Sequence, residues 1–344
     1  MRAVRVHAYH ERPRLDEVPE PKVGGPWDVV VRIGAAGLCR TDLHVIEGQW
    51  ADKVDVQLPY TLGHENAGWV HEVGEAVTNV APGEAVILHP HITCGLCRPC
   101  RSGQDVHCEN RKFPGIDCDG GMADYLLTSA RACIRLADGL DPVAVAALAD
   151  AGLTAYHAVR KALPLLTPGT VCVVVGAGGL GHIGVQCVLA MTAATVIVVD
   201  RNPDALELVR QYGVQHVVQA DGTQVQQVLD LTGGAGADVV LDFVGEGGVE
   251  NEALAMTRNT GSDFVIGYGG TIMTPTLDMI TTERNIVGNL VGTFIDLDEL
   301  MTLTDEGKVE LHTQVYPLDA VNDAMDHLEA GRLRGRGILV PGKS

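Results

Sequence analysis

Four cysteines stand at a spacing that suits a metal ion: Cys94-x2-Cys97-x2-Cys100-x7-Cys108. Four thiolates on one short loop can close a tetrahedron around zinc and leave no coordination position open, which makes a structural site. An iron–sulfur cluster is the rival for such a run, and no second cysteine group is there to share clusters. Three further segments carry candidate ligands and proton carriers: Gly37-Leu-Cys39-Arg40-Thr41-Asp42-Leu-His44, Leu62-Gly63-His64-Glu65 and Leu148-Ala-Asp150-Ala-Gly152-Leu-Thr154. Cys, His and Asp each ligate zinc, and three protein ligands with one open position define a catalytic site. Spacing alone does not join these segments. Read singly, Cys39 is a small buried hydrophobe and Asp150 a helix cap.

A fifth segment handles phosphate. Val171-Cys-Val-Val-Val175 runs into Gly176-Ala-Gly178-Gly179-Leu180-Gly181. A glycine pattern that follows an apolar strand and opens a helix is the dinucleotide-binding context. Gly176 permits the tight turn, Gly178 lets backbone approach a pyrophosphate, and Gly181 lets helix and strand pack closely. The helix N-terminus offers N–H groups to the phosphates. Nineteen residues after Gly181 stands Asp200, placed to accept the ribose hydroxyls of NAD, with Arg201 next to it.

The elements that must hold these groups follow from the hydrophobic pattern. The first 130 residues read as short strands, with Val29–Ile33 before a turn region at Gly34–Gly37 and another turn at Pro82-Gly83. Such a run predicts a barrel or sandwich. Asp141-Pro142 starts a helix as N-cap and first residue. From there strands and helices alternate: strands at Val171–Val175, Val196–Val199, Val217–Val218, Val239–Phe243 and Phe264–Ile266, with helices at His182–Met191, Pro203–Tyr212 and Val225–Leu231. That rhythm predicts a doubly wound parallel sheet. The last 55 residues show one helix, Ala320–Ala330, and one strand, Ile338–Val340.

Composition excludes several classes. The chain has 344 residues, enough for about two domains, and 46% of them are hydrophobic, which excludes wholesale disorder. A net charge of −19 argues against nucleic-acid and anionic-membrane partners, which call for Lys and Arg. Val171–Val199 lacks Asp, Glu, Lys and Arg, but its crowded glycines fit strand, turn, helix and strand better than a membrane span. Met1–Pro21 has no apolar export core, and a cytoplasmic location is expected.

The C-R-T-D-x-H run, the G-H-E triplet, the four-cysteine loop and the strand–GAGGLG–helix–Asp200 unit resemble the zinc-dependent medium-chain alcohol dehydrogenases. They stand in that family's order, and the resemblance covers essentially the whole chain, from Met1-Arg-Ala-Val to Arg334-Gly-Arg336. It implies an α/β architecture: a GroES-like, β-barrel-type catalytic domain over residues 1–152, a Rossmann NAD-binding domain over 153–287, and a return segment, 288–344. It implies one catalytic and one structural zinc per chain. Cys39, His64 and Asp150 would be the catalytic ligands, with Glu65 beside them as an acid able to approach the metal. Thr41 and His44 would relay a proton. Arg40 and Arg336 would contact the cofactor pyrophosphate, and Thr154 would pack near the nicotinamide. Asp150 departs from the many members that carry Cys there. The substrate implied is a small alcohol or carbonyl compound, and the assembly a homodimer or homotetramer joined through sheet edges. A polyol dehydrogenase of the same superfamily and a zinc-free quinone-reductase-like relative are the alternatives. Trp50, His91, Phe113, Ile116, Leu290 and Phe294 are pocket candidates that read equally well as ordinary packing.

Overall fold

The computed structural model describes residues 1–333 and 335–342. Arg334, quoted at the end of the resemblance, lies outside the described residues. Alternating apolar residues in the N-terminal part form short strands: β1 (Arg2–Val6), β2 (Arg14–Glu17), β3 (Asp28–Leu38), β4 (Tyr60–Thr61), β5 (Glu65–Val73), β6 (Ala85–Leu88), β7 (Tyr125–Ser129) and β8 (Cys133–Arg135). β2, β1 and β4 make a small antiparallel sheet; β3, β5, β6 and β8 lie side by side, and β7 also pairs β3. Val29, Val31, Ile33, Val70, Val86 and Leu88 turn to one side and form a buried cluster.

Gly34–Gly37 is not the turn expected there, because β3 continues unbroken through it to Leu38. These glycines allow close approach. A Cβ on Gly34 would meet the Trp69 ring at 2.8 Å, and one on Gly37 would meet the Glu65 carboxylate at 1.9 Å. The register shifts between Ile33 and Ala35, so the strand bends as it reaches the chemistry.

Three short helices complete this part: α1 (Arg40–Ile46), α2 (Arg98–Arg101) and α3 (Pro142–Val145). Asp141 caps α3 as its sequence indicated, accepting the Val143 N–H at 2.9 Å. The helix stops at Val145 and tightens into a 3-10 turn, Ala146–Ala149, which delivers Asp150.

The alternating region follows as α4 (Ala151–Ala162), β9 (Val171–Val175), α5 (Gly181–Met191), β10 (Thr195–Asp200), α6 (Pro203–Gln211), β11 (His216–Gln219), α7 (Gln224–Leu231), β12 (Ala237–Asp242), α8 (Val249–Met256), β13 (Thr257–Val265), α9 (Thr276–Thr282) and β14 (Asn285–Gly288). The strands form one parallel sheet in the order β11-β10-β9-β12-β13-β14. The order reverses beside β9, so the glycine turn that follows β9 lies at the switch point, where such sheets bind ligands. The uncharged Val171–Val199 stretch is β9, α5 and most of β10; among the described residues no single helix is long and apolar enough to cross a membrane.

The chain then adds α10 (Phe294–Asp305), β15 (Thr313–Pro317), α11 (Val321–Glu329) and β16 (Arg336–Val340). β16 pairs β3 antiparallel, which returns the end of the chain to the first sheet. The sequence reading missed α10 and β15. The start of α10 carries a signal, a reciprocal box in which Asp296 accepts the Thr293 N–H at 2.8 Å. The described residues of Met1–Ala151, Thr293–Asp305 and Leu311–Ser344 make one compact unit, and Gly152–Gly292 with Glu306–Glu310 make the other.

Candidate active site and metal centres

Cys39 stands where β3 ends and α1 begins. Its backbone is extended, and its N–H donates to Asp42 Oδ2 at 2.8 Å, which fixes the entry to the helix. Thr41 and His44 lie three residues apart and share a face of α1. His64 follows Gly63, whose φ of +101° and crowding by the Met122 backbone admit only glycine. Glu65 opens β5, and the register sets it directly opposite Gly37. Asp150 arrives from the 3-10 turn. One donor atom from each of Cys39, His64, Glu65 and Asp150 lies within 4.8 Å of the others, and all four residues are buried.

This cluster is electrostatically unfinished. Asp42 Oδ1 lies 3.4 Å from His64 Nδ1, and Asp150 Oδ2 lies 3.6 Å from His64 Nε2. Neither His64 nitrogen has a hydrogen-bond partner, nor has Asp150 Oδ1. Burial pushes the Asp150 carboxyl above its ordinary range. Burial also disfavours a charged His64, but Asp42 and Cys39 outweigh it and hold the ring well above the usual histidine range. Each buried polar atom left unpaired costs about 1–3 kcal/mol. A thiolate, an imidazole and a carboxylate converging on one point are a donor set that a zinc ion satisfies, so the residues fit the metal.

Glu65 has a second partner. The Arg336 Nε donates to Glu65 Oε2 at 3.0 Å, and its Nη2 donates to Oε1; both side chains are buried. The structure therefore places the Arg336 guanidinium, expected at the cofactor, on Glu65. Arg40 is exposed at the start of α1, and Thr154 is buried in α4. Asp42 was missed. It faces His64 as carboxylates behind metal-binding histidines do, and the Cys39-x-x-Asp42 capping spacing was its signal. Of the pocket candidates, Phe113 packs edge-on to His64 with ring centres 5.7 Å apart, and to His91 at 4.4 Å.

The second cluster is Cys94, Cys97, Cys100 and Cys108, again with donor atoms within 4.8 Å of one another. The N–H groups of Leu96 and Cys97 both point at Cys94 Sγ from 3.4 Å, and they bring its thiol down to about 6. Burial and the neighbouring sulfurs push Cys100 up to about 12. Four convergent sulfurs, one already favoured as thiolate, suit a closed zinc site.

In the other unit, Gly176 takes φ +86° between β9 and α5. A Cβ on Gly181 would meet the Gly176 carbonyl oxygen at 1.7 Å, whereas one on Gly178 would meet nothing within 4 Å. Gly178 is exposed, Gly179 and Leu180 are partly so, and no side chain caps α5. This leaves a bare backbone cradle at a helix N-terminus, which fits a dinucleotide phosphate. Asp200 closes β10 and accepts the N–H groups of Ala177 at 2.6 Å and Asn202 at 2.7 Å; Arg201 is exposed.

The family model of the alcohol dehydrogenase GroES-like domain matches residues 25–138, and that of the zinc-binding dehydrogenases matches residues 179–306. An NAD-dependent alcohol dehydrogenase of Sulfurisphaera tokodaii is 34% identical over 99% of this chain and 100% of its own. A D-arabinose 1-dehydrogenase (NADP(+)) of Saccharolobus solfataricus is 31% identical over 99% of this chain and 97% of its own. The crystal structure of the alcohol dehydrogenase from Aeropyrum pernix matches with a TM-score of 0.97 and 44% identity, over 99% of this chain and 100% of that one.

Proposed function

The chain belongs to the zinc-dependent medium-chain alcohol dehydrogenases, and we infer from this that it transfers hydride reversibly between an alcohol and NAD+, giving an aldehyde or ketone. The observation that carries the reading is the buried meeting of Cys39, His64 and Asp150, with polar atoms that nothing else satisfies. Cys39, His64 and Asp150 hold the catalytic zinc, and Cys94, Cys97, Cys100 and Cys108 hold the structural one. When bound, zinc supplies Lewis acidity toward the alcohol oxygen and NAD+ supplies the hydride acceptor.

The protein's own groups do the rest. A thiolate and a carboxylate match the charge of a divalent ion, while Arg336 neutralises Glu65. Asp42 faces Nδ1 of His64, which leaves Nε2, on the Asp150 side, as the ligand atom. Thr41 takes the hydroxyl proton from the substrate, and His44, one turn further along α1, carries it toward solvent. Gly176–Gly181 cradle the pyrophosphate, and Asp200 accepts the ribose hydroxyls.

Purified protein is expected to contain about two zinc ions per chain and to form NADH when given NAD+ and a primary or secondary alcohol. Zinc-free protein without alcohol-dependent NADH formation would return the reading to the quinone-reductase-like alternative. The likeness to a D-arabinose dehydrogenase supports a second reading, a sugar or sugar-alcohol dehydrogenase. A panel that sets simple alcohols against polyols and aldoses separates the two by kcat/KM.

None of the nine cysteines is in a disulfide, which suits a reducing compartment and so the cytoplasm. Exposed Met273, Leu277 and Ile280, with β14 at the sheet edge, suit a homo-oligomer joined through this unit.

A further inference from the structure

Two aspartates in the parallel sheet are used by neither the cofactor turn nor the metal centres. Asp242 ends β12 and Asp263 stands within β13, and both are fully buried. The register sets Val240 beside Asp263 and Asp242 beside Val265. The two carboxyls therefore lie diagonally on one face of the sheet. Around them that face is apolar, with Val173, Val175, Val240, Ala253 and Met256 in one cluster. Asp242 Oδ1 accepts the N–H groups of Val244 at 2.9 Å and Gly245 at 3.0 Å, and so holds the turn that leaves β12. Asp242 Oδ2 and both oxygens of Asp263 have no partner.

Burial pushes the Asp242 carboxyl above its ordinary range against the pull of its two N–H donors, and the Glu250 carboxylate of α8 adds to this. On β12, Asp238 pairs Arg258 of β13 at 2.6 Å. On α8, Glu250 takes the N–H groups of Gly248 and Thr271, and Glu252 takes the Gln224 amide. Asp278 of α9 is exposed, as is Glu283 before β14; Arg284 follows it with an unpartnered Nε. Burial, and then the Asp242 carboxylate, push the Asp263 carboxyl up to about 7. The Asp242 turn in its own right touches the glycine turn: a Cβ on Gly176 would meet Val244 Cγ2 at 2.7 Å.

We propose that Asp263 is a proton switch on cofactor binding. Protonated, it is a neutral neighbour of Asp242, and residues 242–245 stay seated against Gly176. Ionised, it sets a second negative charge diagonal to Asp242 in an apolar layer. Loosening of the 242–245 turn relieves the repulsion and unseats the glycine turn. The folded-state value stands above the unfolded one, so the stabilisation is complete below about pH 4 and is lost as pH rises to about 7 and beyond. NAD+ affinity follows the same direction. This rests on Gly176–Gly181 as the NAD+ site.

The test titrates NAD+ into zinc-loaded enzyme at about pH 6 and about pH 8.5, following tryptophan fluorescence in wild type, Asp263→Asn and Asp242→Asn. The wild-type Kd is expected to rise about fivefold more across this interval than that of Asp263→Asn. Asp242→Asn keeps an acceptor for the turn but removes the charge that ionised Asp263 repels, so it should flatten the pH dependence of NAD+ binding as Asp263→Asn does. That variant decides the matter alone if Asp263→Asn does not fold. Equal pH dependence in wild type and in either variant would overturn the switch while leaving the cofactor site standing. No NAD+ binding by wild type at either pH would overturn the cofactor site and the switch together.

Discussion

Thr41 and His44 are separated by one turn of α1, and His44 is buried except for a small fraction of its surface. A hydroxyl that accepts a substrate proton acts in turnover and not in cofactor affinity. Thr41→Ala is therefore expected to lower kcat by about 10²-fold or more, with NAD+ affinity within about twofold of wild type. His44→Gln should cost less, and more at low pH than at high pH, because hydroxide replaces it as proton acceptor. A pH–rate profile identical to wild type would remove His44 from the relay. Asp200 is proposed to set cofactor choice at the same scale. Its carboxylate is pinned by the Ala177 and Asn202 N–H groups, so a 2′-phosphate would meet a fixed negative charge. We expect NAD to be preferred to NADP by at least about tenfold in kcat/KM, about 1.4 kcal/mol. Asp200→Gly should relax or reverse this, since exposed Arg201 can then pair the phosphate. Equal efficiencies in the unmodified protein would sink the assignment. Single residues differed in how legible they were. The place of Asp200 at the end of β10 was readable because it is set locally by one apolar strand. Cys39, His64 and Asp150 were joined only by resemblance, because they meet through the pairing of β3 with β5 and a 3-10 turn that no local pattern announces.

Glycines show how elements serve the site, and they separate two effects that sequence alone merges. Gly181 and Gly178 belong to one motif, yet their surroundings are opposite. A methyl group on Gly181 collides with backbone, so α5 must shift away from the turn; a methyl group on Gly178 enters open space. Gly181→Ala is thus expected to destabilise the protein by about 3 kcal/mol or more. Gly178→Ala should leave stability within about 0.5 kcal/mol and still lower NAD+ affinity about tenfold, by occupying the pyrophosphate approach. Denaturant melts and NAD+ titrations on both variants check this, and unchanged NAD+ affinity in Gly178→Ala would remove the pyrophosphate from that backbone. The four-cysteine loop makes the complementary case. Cys97→Ser should lower the melting temperature and the zinc content while the surviving protein keeps its kcat, since a closed site contributes to folding and not to turnover. A variant as heat-stable as wild type would refute the structural assignment. Element types were largely readable from periodicity, most clearly the β9–α5–β10 unit. Gly34–Gly37 misled because glycine marks close approach within a strand as well as a turn, and only the Trp69 ring and Glu65 carboxylate distinguish the two.

At the scale of the whole molecule, charge and apolar surface make different demands. A net charge of −19 keeps copies apart at long range, so any assembly must come from a local apolar patch. The second unit has one: Met273, Leu277 and Ile280 are 79%, 67% and 72% exposed, and Ile286 on the edge strand β14 is also exposed. This surface was invisible to the sequence reading, which took no helix from residues 276–282. Within α9 the apolar positions look like a core stripe, and only the fold reveals that they face outward. Exposed apolar side chains gathered beside a sheet edge mark a site for another chain. A second copy is the proposed occupant, because a sheet edge can pair with its own symmetry mate and extend the sheet. Light scattering is therefore expected to give a dimer or tetramer for the wild type. The double variant Leu277→Glu, Ile280→Glu should fall to a monomer at micromolar concentration, because two carboxylates facing their own copies across a symmetric contact repel and lose hydration. The same variant should keep both zinc ions, since neither donor cluster lies in α9. A wild-type monomer, or a double variant that assembles as wild type does, would move the interface elsewhere on the molecule.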